Sequence, residues 1–170
     1  AFNCPALEIG GDYYDFIRFG KSQLGVVVAD VSGKGMDAGL VMSMTKSALL
    51  TLCQQETDPR EVLKKLNRVL CQQLQQQKFV SLIYSIYDAT ASEFQWAGAG
   101  HENVLVRRAA GAMEVHKTGG IALGVVDDIS AYVSDGKVTL KPGDLVILYT
   151  DGITEAHDAK GEMYTLERLV

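Results

Sequence analysis

The chain has 170 residues, 47% of them hydrophobic, and a formal net charge of -5 at pH 7. That composition suits one globular domain with a sizeable core, and the acidic balance with its scattered Lys and Arg excludes a nucleic-acid or anionic-membrane surface built on a basic patch. No apolar run approaches the roughly 20 residues of a membrane span. No signal-peptide pattern opens the sequence, and Cys4, Cys53 and Cys71 lack ligand spacing, so they are expected to be reduced thiols of a cytoplasmic protein.

Both ends look cut: Ala1-Phe2-Asn3 begins as though mid-strand, and an amphipathic helix is only starting at Leu166 to Val170. Ile9 to Phe16 (IGGDYYDF) follows as a predicted strand, its paired glycines letting the backbone pass close to a neighbour. Alternation puts Asp12 and Tyr14 on one face and Tyr13 and Asp15 on the other, so both aspartates cannot face one site. Asp15 is expected to be structural. The letters GGDYYDF also resemble the GGDEF signature of nucleotide cyclases, but Tyr13 stands where that signature has an acid. Arg18 to Gln23 is a predicted hairpin turn into the β-branched run Leu24 to Ala29, a strand buried on both faces.

Asp30 sits at the mouth of that strand, followed by Val31-Ser32-Gly33-Lys34-Gly35. A carboxylate there is expensive to desolvate unless something positive meets it, and a metal ion is one candidate. Gly33 and Gly35 permit positive φ and close backbone approach around an ion or a phosphate, and Lys34 could meet an anion. A tight structural turn explains the loop equally well. A dinucleotide fingerprint does not, because a second helix follows where a strand should, and the Walker pattern fails at Gly35.

From Met36 the pattern is helical, with Val41, Met44, Ala48 and Leu52 inward, Leu40 and Leu49 widening the face, and the methionines Met36, Met42 and Met44 as core filler. Asp58-Pro59-Arg60-Glu61 starts a second helix with an N-cap, a proline at N1 and a glutamate at N3. Val62, Leu66, Val69, Leu70 and Leu74 point inward, and Gln72 to Gln77 form a solvated end. The remainder is predicted β: Phe79 to Asp88, Glu93 to Gly98, Val104 to Arg108, Met113 to Lys117, Ala131 to Leu140 with a break near Gly136, and Leu145 to Tyr149. Without a βαβ rhythm, these imply an α/β (α+β) fold of two packed antiparallel sheets with helices outside.

The last strand delivers Asp151-Gly152 as the earlier one delivers Asp30. Asp12, Asp30 and Asp151 are thus three acids beside or near glycine, each where a strand runs or ends. Hard divalent ions prefer such oxygen ligands and in pairs activate a water for attack on phosphorus. His101, His116 and His157 lack the spacing that zinc requires.

GGDYYDF (10–16), DVSGKG (30–35), AGAGHEN (97–103), TGGIALG (118–124) and LYTDGITEA (148–156) together resemble the SpoIIE/RsbU-like branch of the bacterial type 2C (PPM) protein serine/threonine phosphatases. The resemblance implies a PPM phosphatase-like α-β-β-α sandwich, two antiparallel sheets flanked by helix pairs, with two Mn²⁺ or Mg²⁺ ions at one end. It assigns Asp30 to both ions, the Val31 carbonyl to one, Asp151 to the other and Asp12 to the ions through their waters. A metal-activated water then attacks phosphoserine or phosphothreonine with no covalent enzyme intermediate. The implied substrate is a phosphorylated STAS-type anti-anti-sigma factor, and the implied driver an N-terminal sensor or receiver domain.

On this resemblance residues 1–170 form a single PPM-type domain lacking part of its first strand and its C-terminal strand, which normally adds an acidic ligand. A clipped edge would be open to pairing or homodimerisation, and the fragment is expected to be weakly active or inactive. Gly33, Lys34 and His101 are candidate phosphate or substrate contacts, but for His101 a hydrogen-bonded loop histidine is preferred over a proton donor or substrate contact. Glu155 is a candidate acceptor from a metal-bound water, or a capping residue. The rival function is a non-catalytic phosphatase-fold module in partner-switching regulation.

Overall fold

The computed structural model describes residues 1–4, 9–74 and 78–170. β1 (Tyr13–Phe19) and β2 (Gln23–Val31) form a hairpin, α1 (Met36–Leu52) and α2 (Pro59–Leu74) follow, and β3 (Val80–Asp88) and β4 (Glu93–Ala99) form a second hairpin. β5 (Val104–Arg107), β6 (Met113–His116), β7 (Ser134–Thr139), β8 (Leu145–Ile147) and the single turns α3 (Asp151–Thr154) and α4 (Leu166–Leu169) complete the order. The strands make two sheets, β1-β2-β3-β4-β7 and β6-β5-β8, antiparallel throughout.

Strand pleating divides the core in two. Val27, Ala29, Val31, Leu82 and Tyr84 point to one face of the larger sheet and pack with Leu49 of α1 and Val62, Leu66 and Leu70 of α2. From the opposite face Ile83, Phe94 and Trp96 meet Val104 and Val106 of the smaller sheet. Burial on both faces explains why β2 and β3 are near-continuous apolar runs. Together they hold the register Asp30↔Ser81 at the end of the sandwich.

Several expectations shift. β1 begins at Tyr13 and runs through Arg18 and Phe19, leaving Asp12 just outside the strand and a shorter turn. In α1 the buried residues are Ala38, Gly39, Thr45 and Leu49, while Leu40 and Met36 are 63% and 62% exposed. At about 100° per residue Leu40 lies almost opposite Ala38, and apolar residues on nearly every side of this helix hide its true face from a periodicity reading. β7 is unbroken at Gly136, which pairs directly with Trp96. A Cβ there would sit 2.5 Å from the indole Cζ2, so the glycine makes room for the ring.

The cap of α2 forms as expected, with the Arg60 N–H donating to Asp58 Oδ1 at 2.9 Å. Val69 is only half-buried, while Leu63 and Asn67 lie fully inside. Gln72 and Gln73 are exposed, and Gln75 to Gln77 lie outside the described residues. Asn67 donates Nδ2 to the carbonyls of Val126 and Asp127 at 2.8 and 3.1 Å and accepts the Gly124 N–H at 2.9 Å. One amide thereby satisfies the loop that crosses over α2. Asn67→Leu strands those backbone groups without water. It is expected to cost roughly 3 kcal/mol and about 10 °C in Tm, measured by urea and thermal denaturation; a loss below about 0.5 kcal/mol, the range of an ordinary surface substitution, would contradict this role.

Candidate active site

Asp30 reaches the end of the sandwich because β2 is paired on both sides up to that point. The chain then turns, and Ser32 stitches the turn to the residue before β3: its N–H donates to the Phe79 carbonyl at 3.0 Å and its Oγ accepts the Phe79 N–H at 3.0 Å. Gly33 and Gly35 take φ of 94° and 77°, the left-handed values that favour glycine. Gly33 also makes space for Lys78, whose Nζ donates to the Ser32 carbonyl at 3.1 Å and would lie 2.5 Å from a Cβ at position 33.

Gly11 is buried against the same strand end. A Cβ on it would fall 2.6 Å from the Val31 carbonyl oxygen and 3.4 Å from Asp30 Oδ1, so the glycine lets Asp12 approach Asp30 beside that carbonyl. From the smaller sheet, β8 leads through Tyr149 and Thr150 to Asp151 at the start of α3. The Thr150 hydroxyl donates to Asp12 Oδ2 at 3.5 Å, joining the two arms.

The electrostatics show that the three carboxylates share one region. Burial, then the charges of Asp12 and Asp151, push Asp30 up to about 6. Burial, then the Asp151 charge, raises Asp12 against the opposing hydrogen bond from Thr150. The charges acting on this pair are all negative, which favours a cation beside it. Among the described residues no three His, Cys, Asp or Glu side chains are grouped closely enough to hold an ion by themselves. The donors this strand end offers are the carboxylates of Asp12 and Asp30 with the Val31 carbonyl, and the charge of Asp151 acts on both acids. That suits Mg²⁺ or Mn²⁺, which keep several waters, and does not suit zinc.

The remaining candidates separate. Lys34 is exposed in the loop, and Glu155 is exposed at the C-cap of α3, where its N–H donates to the Asp151 carbonyl at 2.7 Å. His101 is buried between the sheets and hydrogen-bonded at both ring nitrogens, to Ser81 and Tyr149. Asp15 turns to the helix layer and pairs with Lys46 at 3.0 Å. A cleft of about 590 Å³ opens between the sheets beside Asp12 and Thr150, walled by apolar residues including Phe16, Val26 and Val28; neither Asp30 nor Asp151 lines it. Sequence reasoning missed Lys78, Ser81 and Thr150. Of these only Thr150, next to Asp151, carried a local signal.

The architecture is that of PP2C-type phosphatase domains: the SiaA-PP2C domain of Pseudomonas aeruginosa superposes with a TM-score of 0.84 at 20% identity, over 97% of this chain and 65% of that one. The chain belongs to the SpoIIE family, whose sequence model, described as Stage II sporulation protein E (SpoIIE), matches residues 20–170. It is 34% identical to the phosphoserine phosphatase RsbU of Bacillus subtilis (strain 168), over 100% of this chain and 51% of that protein, so it spans about half the length of RsbU. The structure of RsbX in complex with magnesium shares the fold with a TM-score of 0.72 at 15% identity, covering 89% of this chain and 71% of RsbX.

The raised carboxyl of Asp30 carries a sign that can be measured without metal. Its value of about 6 lies above the ordinary 3.8, so the folded state binds the extra proton between those values, and stability falls as pH rises through about 6. In EDTA, Asp30→Asn is expected to be more stable than the parent at pH 8 by about 1–2 kcal/mol, allowing for solvent screening, with the gap closing near pH 4 in urea titrations. A variant less stable than the parent at pH 8 would show that Asp30 is satisfied by the protein itself.

Proposed function

We propose that this chain is a metal-dependent protein serine/threonine phosphatase domain acting on phosphoserine or phosphothreonine of a bacterial signalling protein. The observation that carries the reading is that Asp12 and Asp30 lie partly buried within reach of each other's charge and that of Asp151, at one end of a PP2C-type sandwich. Asp30 would serve two Mn²⁺ or Mg²⁺ ions, the Val31 carbonyl one of them and Asp151 the other, with Asp12 acting through their waters. Bound there, such ions supply a water that is nucleophilic at neutral pH and offset the charge of the phosphoryl oxygens.

The chain's own groups orient and admit. Thr150 aims Asp12, Gly11 keeps the Val31 carbonyl accessible, and Lys34 offers an exposed ammonium to an incoming phosphate or acidic peptide. The likeness to RsbU, a phosphoserine phosphatase, supports a phosphoserine substrate, and we assign it to the STAS-type anti-anti-sigma class in the cytoplasm. Control by a sensor or receiver domain elsewhere in the whole protein belongs to the same proposal.

The test is Mn²⁺-dependent hydrolysis of p-nitrophenyl phosphate and of a phosphoserine STAS-type protein, with calorimetry of Mn²⁺ binding. Asp30→Ala and Asp151→Ala are each expected to lower the rate by roughly 100-fold or more and to weaken Mn²⁺ binding. Folded protein that binds no Mn²⁺ and hydrolyses neither substrate would instead make it a non-catalytic interaction module.

A further inference from the structure

His101 lies in the loop between β4 and β5 and is 9% exposed. Its Nε2 is 3.1 Å from the Tyr149 carbonyl oxygen. A carbonyl only accepts, so Nε2 carries the hydrogen. Nδ1 is 2.8 Å from Ser81 Oγ; in the neutral ring it accepts, and the serine hydroxyl donates to it. Burial favours that neutral form, lowering the histidine to about 4. Both nitrogens are thus engaged within the protein, and neither is left to meet a phosphate or pass a proton to a leaving group.

The partners of the ring matter more than its burial. Ser81 is the register partner of Asp30, and Tyr149 stands two residues before Asp151. β2 and β3 belong to one sheet and β8 to the other, and among the described residues no backbone ladder joins the two sheets. The imidazole spans that gap, from the strand paired with the first aspartate to the segment that delivers the second.

The loop under the ring is itself clamped. The Thr118 hydroxyl lies 2.7 and 2.6 Å from the carbonyls of His101 and Glu102, and the Gly100 N–H donates to the Gly119 carbonyl at 3.0 Å. A Cβ on Gly100, whose φ is 62°, would fall 2.6 Å from the Ala122 nitrogen, and one on Gly98 would fall 2.8 Å from Thr118 Cβ. The segments AGAGHEN and TGGIALG are therefore interlocked, and what they hold in place is His101.

We infer that His101 is a positioning residue, a neutral Nε2–H strut between Ser81 and the Tyr149 carbonyl that sets the separation of Asp30 and Asp151 across the two sheets. The inference rests on the reading of those aspartates as ligands of divalent cations. It assigns His101 no contact with substrate.

The experiment compares the parent with His101→Ala, His101→Gln and Ser81→Ala by calorimetric Mn²⁺ titration, by p-nitrophenyl phosphate kinetics at saturating Mn²⁺, and by ¹⁵N spectra of the imidazole. Removing the strut is expected to weaken Mn²⁺ binding by about 10-fold, the scale of losing a group that orients a ligand, and to leave KM for p-nitrophenyl phosphate within twofold. Ser81→Ala is expected to fall between parent and alanine variant, and His101→Gln, which keeps a donor for Tyr149, to recover most of the affinity. The parental ring should give the Nε2–H neutral pattern at pH 7, a signature that stands even where His101→Ala does not fold. An imidazolium or Nδ1–H ring would overturn the inference. So would parental Mn²⁺ affinity in folded His101→Ala, or a raised KM with unchanged Mn²⁺ affinity, which would make the residue a substrate contact. A parent protein that itself fails to bind Mn²⁺ overturns the metal reading first, and the inference with it.

Discussion

Like charges gathered in a partly dehydrated corner repel one another, and a fold that gathers them must hold them against that repulsion. Here burial first, then the Asp151 charge, raises Asp12, and burial with the charges of Asp12 and Asp151 raises Asp30. Among the described residues none of the three is anchored by an ion pair with Lys or Arg. What holds them is backbone: two ladders on either side of β2, the approach of Gly11 to Val31, and the delivery of Asp151 by β8. The stability for this comes from elsewhere, in the two apolar layers on opposite faces of the larger sheet.

The far end of the smaller sheet is fixed by charge used in the opposite way. Asp144 accepts from the N–H groups of Lys141 and Ala109 and from Arg108, and these hold it down to about 2. Arg108 in turn grips Glu114 on β6. That cluster ties the turn before β8 to the β5–β6 hairpin, so β8 is pinned where it starts, and the chain beyond its end leads to Asp151. Satisfied charge builds the frame, and unsatisfied charge is exported to the open end.

Much of this could be read in advance, for a physical reason. Runs such as Leu24 to Ala29 and Leu145 to Tyr149 declare themselves because burial on two faces leaves no polar alternation, and Asp58-Pro59 declares a helix start because capping is local chemistry. Gly33 and Gly35 were legible as positive-φ positions for the same reason. Asn67 and Gly136 were not, and His101 was legible as a hydrogen-bonded loop histidine but not by its partners. The amide of Asn67 looks polar on a helix face until the loop at Gly124 closes over it, and Gly136 looks like a strand breaker until Trp96 is placed opposite. His101 bonds to residues 20 and 48 positions away, and nothing in its neighbours says which strands will meet around it.

The contrast between Asp12 and Asp15 shows how finely the pleat sorts chemistry within one motif. Three residues apart, they leave the chain on opposite faces. Burial pushes Asp15 upward, but the Lys46 ammonium, the Phe16 N–H and the Tyr13 hydroxyl outweigh it and hold the group below its ordinary value. Among the described residues Asp12 receives only a long hydrogen bond from Thr150, and it stays raised. A carboxylate already paired with an ammonium gains little from a second cation, whereas one held among other acids gains the most. The same seven-letter motif thus supplies one aspartate that locks the sheet to α1 and one that no ammonium pairs among the described residues. Exchanging their faces by a one-residue slip of β1 would break both functions at once.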